Sequence, residues 1–239
     1  MALEAGWQVA TVRAVRMLTS HSRSITLRLP GWQGHLAGQH ADVRLTAPDG
    51  YQAVRSYSLA NWDAGELIEL AVDRLPDGEV SPFLVDEIAV GDQVEILGPL
   101  GRWFVWRTEW AEPVQLIAGG SGLVPVMAML RARAATGSPA PFRLLYSVRA
   151  PDDIYFRDEL EQFGEQVDIR WIFTRSSPAG SRPAGRVTAS DLTDAVFPPS
   201  TRARTYLCGS TGFVENVARM LTAAGHDESL IRAERYGGS

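Results

Sequence analysis

The sequence predicts two domains, an N-terminal antiparallel β-barrel followed by a C-terminal α/β domain built on a doubly wound parallel sheet. Three observations carry that prediction. A chain of 239 residues is long enough for one large domain or two small ones. The first half consists of short stretches that alternate apolar and polar residues and are punctuated by Gly, Pro, Asn and Asp. In the second half, apolar runs alternate with helix-length segments, which calls for parallel strands with helices packed on both faces.

The predicted barrel strands are 8–15, 24–29, 41–45, 55–60, 67–72 and 93–97, with turns at Leu29-Pro30-Gly31, Ala47-Pro48-Asp49-Gly50 and Leu75-Pro76-Asp77-Gly78. A short helix is expected from Ser81, with Pro82 in its first turn. The pattern changes across 107–113, and the domains are drawn as 1–109 and 110–239. Strand 114–118, helix 122–135, strand 142–147, helix 152–163, strand 167–173, strand 205–208, helix 211–224 and strand 230–236 then follow. In helix 211–224, Val214, Val217, Ala218 and Leu221 share one face, and Gly225 supplies the stop. The Ser-, Pro-, Gly- and Arg-rich stretch 176–186 reads as a loop.

Composition narrows the chemistry. Hydrophobic residues make up 45% and charged residues 21%, the balance of a globular protein. No apolar run approaches the roughly 20 residues of a membrane span. The start, Met1-Ala2-Leu3-Glu4-Ala5-Gly6-Trp7, lacks the basic and apolar regions of a secretory leader, so the expected location is the cytoplasm. Cys208 is the single cysteine, which excludes an internal disulfide, a four-cysteine zinc site or a cysteine-ligated iron–sulfur cluster. His21, His35, His40 and His226 never fall at i, i+4, so no metal site is expected. A net charge of −5 argues against nucleic acid. All 23 basic residues are arginine, so any anion site must use guanidinium forks.

Five segments could carry chemistry. Arg55-Ser56-Tyr57-Ser58 offers a phosphate-binding guanidinium, an aromatic face and a hydroxyl, or merely a surface arginine on a barrel strand. Gly78-Glu79-Val80-Ser81 leads into a helix start that could receive an anion, or simply holds an N-cap at Ser81. Gly98-Pro99-Leu100-Gly101-Arg102-Trp103-Phe104 is a rigid turn bearing two aromatics. Gly119-Gly120-Ser121-Gly122 lies between a strand and a helix, where glycines let a pyrophosphate approach the backbone. Cys208-Gly209-Ser210 closes a later strand at its carboxyl end, the usual ligand position, although a single cysteine is commonly a small buried hydrophobe.

In order and spacing these segments resemble the ferredoxin–NADP reductase superfamily, and in particular the reductase modules that serve bacterial oxygenases. The resemblance spans nearly the whole chain. Arg55-Ser56-Tyr57-Ser58 is similar to the R-x-Y-S flavin motif, and Gly78 to Ser81 to the G-x-x-S pyrophosphate turn. The 119–122 loop resembles G-G-[ST]-G, Tyr206-Leu207-Cys208-Gly209 resembles Y-x-C-G, and Glu234-Arg235-Tyr236-Gly237 resembles E-[KR]-[FY]-G.

The resemblance implies a barrel that binds FAD and a parallel-sheet domain that binds NAD(P)H. Arg55, Gly78, Val80 and Ser81 would hold flavin phosphates, Tyr57 would pack on the isoalloxazine, and Ser58 would hydrogen-bond near N5. Gly119, Gly120, Ser121, Gly122 and Gly209 would cradle the nicotinamide nucleotide. Cys208 would sit beside nicotinamide C4 with Glu234 near it, and Tyr236 would cover the flavin's other face. Tyr236 follows Cys208 more closely than the covering aromatic does in plant-type relatives. The implied activity is a flavin-dependent NAD(P)H reductase, without a fused iron–sulfur domain, passing electrons to a separate ferredoxin or oxygenase component. The alternatives are reduction of a diffusible acceptor, such as free flavin or a quinone, and a redox-sensing or assembly flavoprotein subunit. Thr174-Arg175-Ser176 resembles an [ST]-R segment that holds the 2′-phosphate in NADP-using relatives. With Arg149 and Arg182 nearby and no acid between Thr174 and Ser190, NADPH is expected over NADH, which remains possible.

Overall fold

The computed structural model describes residues 6–62 and 65–237. Residues 1–5, on which the expectation of no leader rests, lie outside the described residues, as do the outer ends of the two predicted domains. The chain divides into two compact units, one running through Arg107 and including Met127–Ala132, the other comprising Thr108–Val126 and the rest.

The first unit holds six antiparallel strands: β1 (Trp7–Thr19), β2 (Ser22–Arg28), β3 (His40–Thr46), β4 (Gln52–Ser58), β5 (Leu67–Asp73) and β6 (Gln93–Leu100). They lie in the order β4-β3-β6-β1-β2-β5. The two outer strands are joined where the chain leaves β4, through an antiparallel bridge between Leu59 and Leu70 and the Ala60 N–H donating to Glu69 O. Every second residue of a strand points inward, which places Ala10 and Val12 of β1, Ile25 and Leu27 of β2, and Ile68 and Leu70 of β5 in one core. Burying each of the larger of these side chains contributes roughly 1.5–3 kcal/mol. The predicted helix at Ser81 is a single turn that widens into a π-helical turn, Phe83–Glu87, and seats Leu84 and Val85 in the same core.

The second unit is a five-stranded parallel sheet of β7 (Val114–Gly119), β8 (Phe142–Val148), β9 (Asp168–Phe173), β10 (Arg204–Ser210) and β11 (Ile231–Tyr236). Their order is β11-β10-β7-β8-β9, so the direction of winding reverses between β7 and β10. Four helices connect them: α1 (Leu123–Thr136), α2 (Arg157–Phe163), α3 (Ala189–Ala195) and α4 (Thr211–Ala223). Val214, Val217 and Leu221 of α4 pack on Ile117, Leu145 and Leu207, as the helical spacing predicts. Gly137 takes a left-handed conformation (φ 62°) to end α1, and its N–H donates to Ala134 O.

Two helical expectations change. The helix expected over 152–163 splits, with a 3-10 turn at Pro151–Asp153 and α2 starting only at Arg157. The cause is Phe156, 3% exposed and held at φ 50°, which breaks the helical path so that its ring can enter the interior. α3 was not predicted. It starts at a capping box in which the Thr188 side chain accepts from the Asp191 N–H and the Asp191 carboxylate accepts from the Thr188 N–H.

Candidate cofactor sites

In the barrel unit, β4 is an edge of the hydrogen-bonded order, paired only with β3 along its length, with Arg55 opposite Val43, Tyr57 opposite Ala41 and Ser58 opposite His40. Alternation puts Arg55 and Tyr57 on one side. The Arg55 guanidinium is half exposed and forms an ion pair with Glu79, while also donating to Val54 O at 2.7 Å. The second Glu79 oxygen accepts from the Tyr51 hydroxyl at 2.6 Å. These bonds hold the Glu79 carboxyl below its ordinary range and raise the Tyr51 phenol. The structure thus joins the predicted Arg55 segment to the predicted 78–81 turn, and adds two residues that the sequence reading missed. A carboxylate inside a turn assigned to an anion was the signal for Glu79; Tyr51 left none.

Burial pushes the Tyr57 phenol up to about 12, partly offset by Arg55, so the ring is a neutral, half-buried apolar surface. The Ser58 side chain is half-buried and makes no hydrogen bond among the described residues, leaving a hydroxyl available to a ligand. Ser81 is 5% exposed, and its Oγ accepts from the Leu75 N–H at 3.1 Å instead of capping the helix. A Cβ on Gly78 would lie 2.7 Å from that Oγ, so a side chain there would push the Ser81 hydroxyl aside. Val80 is fully buried in the barrel core, and only its backbone can face a ligand.

In the parallel-sheet unit, the 119–122 loop and Cys208-Gly209 stand at the carboxyl ends of β7 and β10, where the strand order switches. Ligands of doubly wound sheets bind in such a crevice. The glycines there are constrained by the protein's own packing. A Cβ on Gly119 or Gly209 would enter the Phe213 ring (2.8 and 2.7 Å), and one on Gly122 would meet Cys208 O at 2.2 Å. Gly120, at φ +55°, has nothing within 4 Å of its Cβ position, so there the backbone is accessible to a phosphate.

Cys208 is 1% exposed and lies in register with Glu234 on β11. Burial, then the Glu234 charge, pushes its thiol well above the ordinary range, so it is a neutral thiol and not a nucleophile. Burial raises the Glu234 carboxyl to about 7. Tyr236 keeps 37% of its surface exposed, yet its hydroxyl turns inward and donates to Gly119 O at 2.5 Å, reaching from β11 across the end of β10 to β7. Ser121 stands beside it, and burial keeps the phenol neutral.

At the ends of β8 and β9, the N–H groups of Arg175 and Ser176 both donate to Arg149 O (2.8 and 3.1 Å), which brings Arg149 and Arg175 together. Both side chains are exposed, and neither pairs with a carboxylate among the described residues. Arg182 is bonded within the chain. Its guanidinium makes a two-point contact with Asp191 (2.6 and 2.8 Å) and donates to Pro183 O, Gly185 O and Arg186 O, so its donors are taken up in shaping the loop before α3.

Two family models match, the oxidoreductase FAD-binding domain over residues 10–105 and the oxidoreductase NAD-binding domain over 116–219. The reductase component of the naphthalene 1,2-dioxygenase/salicylate 5-hydroxylase systems of Ralstonia sp., a ferredoxin–NAD(P)(+) reductase, is 32% identical over 229 residues, covering 95% of this chain and 68% of that protein. The reductase component of propane 2-monooxygenase from Mycolicibacterium smegmatis is 31% identical over 221 residues, 89% of this chain and 62% of that one. The chain therefore spans about two-thirds of the length of these relatives. Among solved structures, the flavohem-like FAD/NAD-binding domain of nitric oxide dioxygenase from Vibrio cholerae O1 biovar El Tor superposes with a TM-score of 0.86 at 25% identity, covering 97% of this chain and 99% of that one.

Fold and matched domains together define an oxidoreductase that uses FAD and a nicotinamide dinucleotide. The chain belongs to the ferredoxin–NADP reductase superfamily. The residues fit both cofactors: Arg55 and the Ser58 hydroxyl suit a flavin phosphate and a ring acceptor, and Gly120 suits a nucleotide phosphate. No helix among the described residues is long and apolar enough to cross a membrane.

Proposed function

We propose that this chain is a flavin-dependent NAD(P)H reductase that passes electrons to a separate one-electron carrier, a ferredoxin or an oxygenase component, with residues 1–109 binding FAD and 110–239 binding the nucleotide. The observation that carries the reading is the switch point between β7 and β10, where the Gly120 loop and Cys208, in register with Glu234, stand at the carboxyl ends of parallel strands. The naming of the relatives as reductase components of oxygenase systems supports the choice of acceptor.

Bound FAD supplies the conversion of a two-electron donor's reducing power into single-electron steps. The protein's part is placement and electrostatics. Arg55 binds flavin phosphate, Tyr57 offers an apolar face to the ring system, and Ser58 donates a hydroxyl hydrogen bond to a ring nitrogen. The Cys208 thiol is a small neutral surface that excludes water beside the nicotinamide. Glu234, with its carboxyl raised to about 7, can hold or release a proton near neutral pH. Arg149 and Arg175 are the candidate cations for a 2′-phosphate, which favours NADPH.

The test is acceptor-resolved turnover. The FAD-loaded protein should oxidise NADPH with ferricyanide and reduce cytochrome c only when an iron–sulfur ferredoxin is added. Efficient reduction of free flavin or a quinone, with no response to any ferredoxin, would overturn the choice of acceptor.

A further inference from the structure

The Arg55 guanidinium already has an anionic partner from within the chain. Glu79 belongs to the turn assigned to the flavin pyrophosphate, and its carboxylate pairs with Arg55 across 24 residues of sequence. The pair is built and not incidental. Tyr51, placed just before β4, donates to the other Glu79 oxygen, so the carboxylate is held from two sides by residues flanking and within one strand. Gly78 and Ser81 fix the backbone on either side of Glu79, through the Gly78 N–H to Leu75 O (3.0 Å) and the Leu75 N–H to Ser81 Oγ (3.1 Å). The buried Val80 pins the turn to the barrel core. From that turn Glu79 presents its side chain toward Arg55.

A carboxylate and a phosphate oxygen make the same charge-assisted hydrogen bonds to guanidinium, in the same plane. The donors that Arg55 gives Glu79 are those it would give a phosphate.

We propose that Glu79 is a built-in competitor for Arg55, a positioning residue that a flavin diphosphate must displace, and that it sets the protein's flavin affinity and its discrimination between phosphorylated and unphosphorylated flavins. The inference rests on the assignment of Arg55 to a flavin phosphate. Displacement turns Glu79 away from the guanidinium, so flavin binding carries the cost of breaking an exposed ion pair. Exposed pairs are individually weak, and the effect is correspondingly moderate.

The experiment is a set of binding isotherms on the apoprotein, read by quenching of flavin fluorescence, with FAD and riboflavin as ligands. Glu79→Gln keeps the shape of the side chain and removes its charge, and the exposed position leaves folding intact, checked by the thermal melt. FAD should bind Glu79→Gln about three- to tenfold more tightly than the parent, with riboflavin unchanged. In the Arg55→Ala background, which should itself weaken FAD about tenfold or more, the gain from Glu79→Gln should shrink to less than twofold. An unchanged or weakened FAD affinity in Glu79→Gln, with Arg55→Ala still weakening FAD, overturns the competitor while leaving the phosphate assignment standing. An Arg55→Ala variant that binds FAD like the parent overturns both. A Glu79→Gln gain that is equal for riboflavin and FAD also overturns the competitor, because riboflavin carries no phosphate to contest the arginine.

Discussion

In the barrel, Arg55 is joined to the 78–81 turn at the surface through charge; in the parallel sheet, Gly119, Gly122 and Gly209 are packed against the protein's own atoms. Arg55 is half exposed and tied to Glu79 and its own strand, whereas Gly119, Gly122 and Gly209 each lie against an atom of the protein that leaves no room for a methyl group. Changing Arg55 therefore alters affinity and leaves the fold, while changing Gly122 strikes the fold first. The same kind of sequence signal, a short motif at a strand end, reports two different physical demands.

The largest expected effect comes from the glycine loop. Gly122→Ala places a Cβ 2.2 Å from Cys208 O, a backbone atom that cannot turn aside. Overpacking of this kind costs about 3 kcal/mol, and a thermal melt should fall by roughly 6–12 °C. Gly120→Ala meets no atom and carries only the strain of a positive φ, about 1–2 kcal/mol. It should fold, and its loss should be seen in nucleotide affinity. Equal melting temperatures for the two variants would erase the contrast.

Next comes the pH dependence of the sheet unit. The Glu234 carboxyl is raised from its ordinary 4.5 to about 7. Between those values the native protein keeps a proton that the unfolded chain has released, so this group's contribution to stability falls as pH rises through the window. The slope is at most about 1.4 kcal/mol per pH unit. Glu234→Gln should flatten it, measured as the urea midpoint between pH 5 and 7.5. An unaltered slope would mean that Glu234 is solvated and not buried beside Cys208.

Nucleotide choice sharpens the comparison within the sheet unit itself. Arg175→Ala should raise the KM for NADPH about tenfold to a hundredfold, one charge-assisted contact of roughly 1.5–3 kcal/mol, and leave that for NADH nearly unchanged. Arg182→Ala should behave oppositely, lowering stability through the loss of Asp191 while keeping the NADPH to NADH ratio. A wild-type kcat/KM that favours NADH would remove the role given to Arg175. The smallest expected effect is Tyr236→Phe, which loses one hydrogen bond to Gly119 O, worth about 1 kcal/mol in the melt.

Much of this arrangement was legible because period-two and helical spacings survive in single sequences. The inward residues of β1, β2 and β5, and the Val214, Val217, Leu221 face of α4, follow directly from them. What escaped notice depended on partners distant in sequence or on overrides of local preference. α3 is only seven residues long, and its signal, Thr188 followed by Asp191, sits just beyond a loop-like stretch. Phe156 breaks a good helical pattern because its ring is needed inside. Arg182 sits in the loop that follows Arg175, and only the folded chain brings Asp191 to its guanidinium. Glu79 was visible as a residue but not as a partner, since only the folded turn brings it to Arg55.

The barrel's closing seam has a consequence for motion. Its two outer strands meet at Leu59 and Leu70 and in the Ala60 to Glu69 bond, while β2 with β5, and β3 with β4, are each paired over seven positions. Cooperative opening starts where the fewest bonds must break. In deuterium, the amides of β4 that point away from β3 should exchange ahead of those in β1 and β2, because only one side of that strand is laced. A ligand resting on Arg55, Tyr57 and Ser58 would tie off that margin and slow its breathing, so occupancy could be followed by the clock of amide exchange without any redox signal.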